Sequence, residues 1–330
     1  MRIAVIGSGA WGCALGMSIS RANHEVIIYS RDLKICEEIN NQHSNLKYLP
    51  KISLPKQLKA SANIADIINS DILLLVVPAQ SIRQICLELK SNNIESSKSI
   101  IICSKGIEKE SLKLMSEVVK EILPHNPIAV LSGPNFAAEV AQDLPAISSI
   151  ASEDYNFALT LSNYLSSDHF RIYPNDDIIG TQVMGAVKNV LAIATGIVIG
   201  KEFGENAKAA VISRGMCEIA NLSLARGGKI ETLLAPAGFG DIHLTCSNQT
   251  SRNTAYGIAL GKKGASAIGG VLVEGFYSAE AVYMLAQKLA VKMPLCESVY
   301  KILHKNASLD HVIYELLERP INIDLLNLRK

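Results

Sequence analysis

Metal-ligand spacing is missing from this chain. Its seven cysteines (13, 36, 86, 103, 217, 246 and 296) form no C-x-x-C pair, and its seven histidines no H-x-x-x-H. That argues against a zinc site or a dithiol redox centre. The cysteine count is odd and most of the thiols sit in apolar runs, a poor disulfide framework. They read as reduced structural thiols of a cytosolic protein. Net charge is nearly absent as well. With 32 Lys and Arg against 31 Asp and Glu, the balance of +1 offers nothing to nucleic acid or an acidic membrane surface. The N-terminus reads directly as a strand, without a signal peptide, so a cytoplasmic location is expected. Internal repeats and low-complexity tracts are lacking too. One stretch, residues 181–200, is long and apolar enough to raise the question of a membrane span. Lys188 falls near its middle, and a central lysine costs roughly 2.5–3.5 kcal/mol on insertion scales. A buried helix of a soluble domain is the expectation, with no integral membrane segment.

What is present is core material. Hydrophobic residues make up 48% of 330, enough for two domains. The first dozen residues organise the chain. Residues 3–6 form an uncharged apolar run, as in a strand buried on both faces of a parallel sheet. Gly7, Gly9 and Gly12 follow in the spacing G-x-G-x-x-G. Gly7 allows a tight turn, Gly9 lets a pyrophosphate reach the backbone, and Gly12 lets the next helix pack closely. That helix begins near Ala10 and points its free N–H groups at the phosphates. A second strand, 25–29, completes the context that makes the motif informative.

Further strands are expected at 71–78, 99–103, 128–131, 146–151 and 170–173, with helices between most of them. Residues 43–59, with two prolines and four lysines, read as a surface excursion, and Ser61 as the cap of a short helix. Ser111 reads as the start of a helix ending before Pro124. The alternation predicts an α/β fold, a Rossmann-like doubly wound sheet over residues 1–177 that binds ligands at the carboxyl ends of its strands. From 178 to 330 long apolar periodic segments predict an all-helical second domain.

Several side chains could carry chemistry. Arg31 and Asp32 follow the second strand, where an acid would bind the ribose of NAD and an arginine the 2′-phosphate of NADP. Arg31 favours NADP, and a solvated pair at a helix start stays open. Lys105 ends a buried strand, where it faces either the crevice or bulk water. Lys188 shares a helix face with Met184, Leu191 and Thr195. A desolvated ammonium there is expected to shift toward neutrality and to exchange a proton with an alcohol. The alternative is a lysine whose head snorkels to water. Asp241, in a glycine-rich turn, could pair with a lysine or hold a substrate hydroxyl, or simply form an Asx turn. Ser251 reads as an N-cap. Arg252 behind it opposes the helix dipole unless an anion docks there. Glu274 and Glu280 flank another helix start.

Taken together, Gly7-Ser-Gly-Ala-Trp-Gly-Cys-Ala-Leu15, Val77-Pro78, Ser104-Lys-Gly-Ile-Glu108, Ser132-Gly-Pro-Asn-Phe-Ala137, the run from Val187 through Lys188 to Gly196, Gly238-Phe-Gly-Asp241, Ser251-Arg-Asn253 and Val273-Glu-Gly275 resemble bacterial NAD(P)-dependent glycerol-3-phosphate dehydrogenases. The resemblance spans nearly the whole chain. It implies a Rossmann-like domain joined to a helical domain like the C-terminal one of 6-phosphogluconate dehydrogenase. It implies NADP or NAD as cofactor, dihydroxyacetone phosphate and glycerol 3-phosphate as substrates, and a supply of glycerol 3-phosphate for phospholipid synthesis. No nucleic-acid partner is implied, and a homodimer stays open. By position, Ala10, Trp11, Arg31, Lys105, Ala137, Arg252, Leu272 and Glu274 match cofactor contacts. Lys105, Gly133, Asn135, Lys188, Asp241, Ser251, Arg252 and Asn253 match substrate contacts, and Lys188 the proton acceptor. Asn135, Cys13 and Leu272 depart from the residues usual at their positions. Two other readings stay open: a reductase of a carboxylate-bearing substrate, and a non-enzymatic NAD(P) sensor.

Overall fold

The computed structural model describes residues 1–264 and 273–318. It comprises two compact units, one of residues 1–105 and 115–178, the other of residues 106–114 and the described residues from 179 on.

The first unit is an eight-stranded sheet: β1 (Arg2–Ile6), β2 (Glu25–Tyr29), β3 (Lys59–Ser61), β4 (Ile72–Leu75), β5 (Ser99–Ile102), β6 (Ile128–Ser132), β7 (Ala146–Ala151) and β8 (Phe170–Asn175). Their spatial order is β3-β2-β1-β4-β5-β6-β7-β8. Ile3 to Ile6 and all four residues of β4 are buried, as central parallel strands covered on both faces require. Ile6 pairs with Tyr29 on one side and Leu75 on the other, so β1, β2 and β4 end at one level. There the chain order switches direction, and such sheets bind nucleotides at that point. Helices α1 (Ala10–Arg21), α2 (Leu33–Gln42), α3 (Ile82–Ser91), α4 (Met115–Ile122), α5 (Ala137–Ala141) and α6 (Tyr155–Leu165) connect the strands.

Three local expectations are corrected. Residues 43–59 are no mere excursion: Leu49, Leu54 and Leu58 are buried and the stretch leads into β3, which pairs with β2. Ser61 ends that strand, and Asn63 caps the following short turn by accepting from the Ala65 amide. Helix α4 starts at Met115, not Ser111. Residues 107–114 form a closed loop in which Ile107 bridges Leu114 and the Glu108 amide donates to the Lys113 carbonyl at 2.9 Å. Strand β7 runs antiparallel to β6. The link between them holds only the five-residue α5, too short for a crossover back to the other sheet edge.

The second unit is helical among its described residues. It contains α7 (Ile178–Gly200), α8 (Gly204–Ala225), α9 (Asp241–Ser247), α10 (Arg252–Lys263), α11 (Glu274–Lys288), α12 (Pro294–His304) and α13 (Leu309–Leu317). Of the most apolar window of α7, 89% is buried, so the candidate membrane span is the core helix of this unit. On α8, Glu218 is 4% exposed and accepts from the Leu295 amide at 2.7 Å and the Cys296 amide at 3.1 Å, capping α12 from another helix. Burial pushes its carboxyl up to about 7, although both amides favour the charged form.

Candidate active site

In the first unit the glycine loop has the shape a pyrophosphate needs. Gly7 has φ +126°, and a Cβ there would lie 2.3 Å from the Val76 carbonyl oxygen. A Cβ on Gly12 would meet the Gly7 carbonyl oxygen at 1.9 Å, so α1 packs directly on the loop. Beside Gly9 there is open space, with nothing within 4 Å of a Cβ position. No side chain caps α1, which leaves its first amides for an anion. These residues therefore fit a dinucleotide. Ala10 and Trp11 open α1, and the Trp11 ring meets Phe170 edge-on at 6.4 Å. After β2, Asp32 caps α2, accepting from the Lys34 amide at 3.1 Å. Arg31 is exposed beside it.

Farther along the same sheet edge, Lys105 Nζ donates to the Gly133 carbonyl at 3.2 Å, joining the ends of β5 and β6. Asn135 donates from Nδ2 to the Ile147 carbonyl at 3.1 Å and to Ser148 Oγ at 2.7 Å, while its Oδ1 is buried without a partner among the described residues. A flipped amide would set two oxygens against each other at Ile147, so the assignment is fixed by the carbonyl. Its amide thus holds β7 in addition to any ligand role. Ala137 is the half-buried first residue of α5.

In the second unit Lys188 is 7% exposed and Asp241 1% exposed. Lys188 Nζ donates to Asp241 Oδ1 at 2.5 Å and to Thr245 Oγ1 at 2.9 Å. Its face-mates Met184, Leu191 and Thr195 are buried. The ammonium does not reach water through a snorkelling stem; it stays inside, matched by a buried carboxylate. Asp241 and Thr245 lie four residues apart on α9 and so share one face.

Ser251 caps α10 by accepting from the Thr254 amide at 3.4 Å, and Arg252 is exposed at the first helical position. Thr254 Oγ1 donates to the Thr245 carbonyl at 2.6 Å, tying α10 to α9. Asn253 is largely committed inside the protein. It donates to Asn189 Oδ1 at 3.0 Å and accepts from the Gly275 amide at 2.9 Å, capping α11. Helices α7 and α10 touch through their backbones. A Cβ on Gly196 would lie 2.2 Å from the Thr254 carbonyl oxygen, and one on Gly257 2.2 Å from that of Ile193. Glu274 opens α11; burial raises its carboxyl and Arg252 partly offsets the rise. Leu272 lies outside the described residues.

Residues 2–158 match the family model described as the NAD-dependent glycerol-3-phosphate dehydrogenase N-terminus, and residues 177–314 its C-terminus. The chain belongs to the NAD-dependent glycerol-3-phosphate dehydrogenase family. It is 42% identical over 323 residues to the glycerol-3-phosphate dehydrogenase [NAD(P)+] of Parvibaculum lavamentivorans, covering 97% of both chains. To that of Caulobacter vibrioides it is 44% identical over 324 residues, covering 97% of this chain and 98% of the relative. The crystal structure of the Coxiella burnetii glycerol-3-phosphate dehydrogenase superposes with a TM-score of 0.91 at 39% identity, covering 96% of this chain and 99% of that one. The fold of this chain brings Lys188 and Asp241 together across 53 residues of sequence. Thr245 escaped the sequence reading, although its i+4 spacing from Asp241 was a usable signal.

Proposed function

We propose that Lys188 is the proton donor and acceptor of an NAD(P)-dependent enzyme that interconverts dihydroxyacetone phosphate and sn-glycerol 3-phosphate. One observation carries the assignment: a buried ammonium held by Asp241 and Thr245, in a core helix with no other charge beside it. Reducing the C2 ketone takes a hydride and a proton, and a nicotinamide supplies the hydride when bound. Lys188 Nζ gives its proton to the oxygen as negative charge develops on it, and takes a proton back in the oxidative direction. Before the transfer the Lys188–Asp241 pair is neutral. After it, the pair carries a net negative charge in a dry environment. That imbalance draws a proton back to Lys188 and resets it.

Arg252 and the amides of the first turn of α10 are the proposed phosphate ligands, with the Ser251 hydroxyl beside them. Lys105, Gly133, Asn135 and Asn253 are further proposed substrate contacts. Gly7, Gly9, Ala10, Trp11 and Gly12 are the proposed seat of the pyrophosphate, and Arg31 of the 2′-phosphate. Lys105, Ala137, Arg252 and Glu274 are added as cofactor contacts. We place the enzyme in the cytoplasm, feeding glycerophospholipid synthesis. All seven cysteines are free and six are buried, which suits a reducing compartment. Purified protein should oxidise NADPH when dihydroxyacetone phosphate is added, and form glycerol 3-phosphate in equal amount. Turnover with a 2-keto acid instead, or NADPH binding with no turnover, sinks the reading.

A further inference from the structure

The loop between α2 and β3 carries a polar side chain whose burial is unexplained by its own hydrogen bonding. Asn45 is 0% exposed. Its Nδ2 donates to the Ser8 carbonyl at 2.8 Å and toward Cys13 Sγ at 3.2 Å. Its Oδ1 is buried with no partner among the described residues. A buried amide with a bare oxygen costs stability that an apolar side chain of the same size would not. What this amide secures is the residue between the first two glycines of the nucleotide loop.

Asn45 is itself held from both sides. Glu38 of α2 accepts from Ser44 Oγ at 2.8 Å and from the Leu46 amide at 2.7 Å. The Tyr48 and Leu49 amides close a turn onto the Asn45 carbonyl at 3.2 and 2.8 Å. The Ser8 carbonyl also receives the Cys13 thiol at 3.5 Å, and burial pushes that thiol up to about 11, so it keeps its proton to donate. Ser8 Oγ lies 2.7 Å from Ser30 Oγ, at the end of β2.

We propose that Asn45 is a positioning residue for the dinucleotide pyrophosphate, fixing the Ser8–Gly9 peptide with its carbonyl turned inward. No peptide bond among the described residues is cis. In a planar trans peptide the N–H points opposite to the C=O. Holding the Ser8 carbonyl against Asn45 therefore aims the Gly9 N–H away from the protein interior, and the space beside Gly9 is open. Without Asn45 the peptide can rotate, and a carbonyl oxygen then faces the phosphates where a donor is needed.

The proposal rests on the reading that this loop binds NAD(P)H, and the test separates the two. Trp11, the single tryptophan, opens the helix behind the loop, so its emission reports NADPH binding directly. Asn45→Ala should raise the NADPH dissociation constant by roughly tenfold or more. Asn45→Asp, which sets an acceptor against the Ser8 carbonyl, should be worse. Adenosine 2′-monophosphate, which lacks the pyrophosphate, should bind the variants as it binds wild type in calorimetry. With saturating NADPH, the KM for dihydroxyacetone phosphate should not move. Should either Asn45 variant fold poorly, Glu38→Ala loosens the clamp from outside and should weaken NADPH while sparing the monophosphate. Equal losses for the two ligands, or unchanged NADPH binding in folded variants, overturn the proposal. A wild type that does not bind NADPH overturns the underlying reading as well.

Discussion

Removing one partner of the Lys188–Asp241 pair should hurt stability more than removing both. The two side chains are 9% and 1% exposed and meet at 2.5 Å. Asp241→Leu strands a buried ammonium, and Lys188→Met strands a buried carboxylate. Breaking such a pair costs about 3–5 kcal/mol, whereas replacing both charges with apolar side chains is often neutral or stabilising. At about 2–4 °C per kcal/mol for a unit of this size, each single variant should melt roughly 6–20 °C lower. The double variant Lys188→Met/Asp241→Leu should recover most of that loss, since Met and Leu fill similar volumes among Met184, Leu191 and Thr245. Activity should behave oppositely. Lys188→Met should lose about 10²- to 10⁴-fold in kcat, and the double variant should stay as inactive as the single. Thermal unfolding followed by circular dichroism, with NADPH-oxidation kinetics on the same samples, measures both. If the double variant's stability loss equals the two single losses added together, the pair is not energetically coupled. A Lys188→Met enzyme with near-normal turnover would remove the proton-transfer role.

Arg252→Ala should raise the KM for dihydroxyacetone phosphate strongly and affect unphosphorylated dihydroxyacetone far less; equal factors for the two ketones, measured side by side, would show that Arg252 is not a phosphate ligand. Arg31→Asp should weaken NADPH more than NADH in fluorescence titrations, because it replaces an exposed cation after β2 with a carboxylate that repels the 2′-phosphate, and parallel losses would count against 2′-phosphate reading. The folded Glu218 carboxyl titrates near 7 against a usual value of 4.5, so between those values the folded state holds a proton the unfolded state has released. Its contribution is present below pH 4.5 and lost as pH rises through about 7, on the order of 3 kcal/mol. Denaturant titrations across that range should show a flatter profile for Glu218→Gln, and an unchanged slope would mean that Glu218 is not the group responsible.

The central strands were legible because β1 and β4 are apolar on both faces, a pattern only a covered parallel sheet needs. Strand β3 was not, since three residues with one buried side chain carry no periodicity. The direction of β7 was invisible for another reason: an apolar run reads the same either way, and only its partner strand decides. Lys188 stood out as one charge in an uncharged helix. Which of Asp241's open roles was real depended on a contact 53 residues away, beyond any local pattern. Asn45 could not be picked out, because it sits in a mixed polar stretch with no periodicity and its burial comes from folding that stretch back over the glycine loop. Asn253 shows the converse. Its motif marked it as a candidate substrate contact, yet its amide is shared with Asn189 and the start of α11.

Glycines 196 and 200 on α7 lie against glycines 257 and 261 on α10, main chain to main chain. Side chains in a core change rotamers and repack when a neighbour is mutated; peptide planes do neither. The separation between the helix that carries Lys188 and the helix that begins at Arg252 is therefore set like the spacing of two beams bolted face to face, with no compressible packing between them. Catalytic groups have to be held to within about 0.5 Å. For the roles proposed for Lys188 and Arg252, the spacing of their two helices would then follow from rigid main-chain contact, and drift elsewhere in the core could alter stability without altering the gauge.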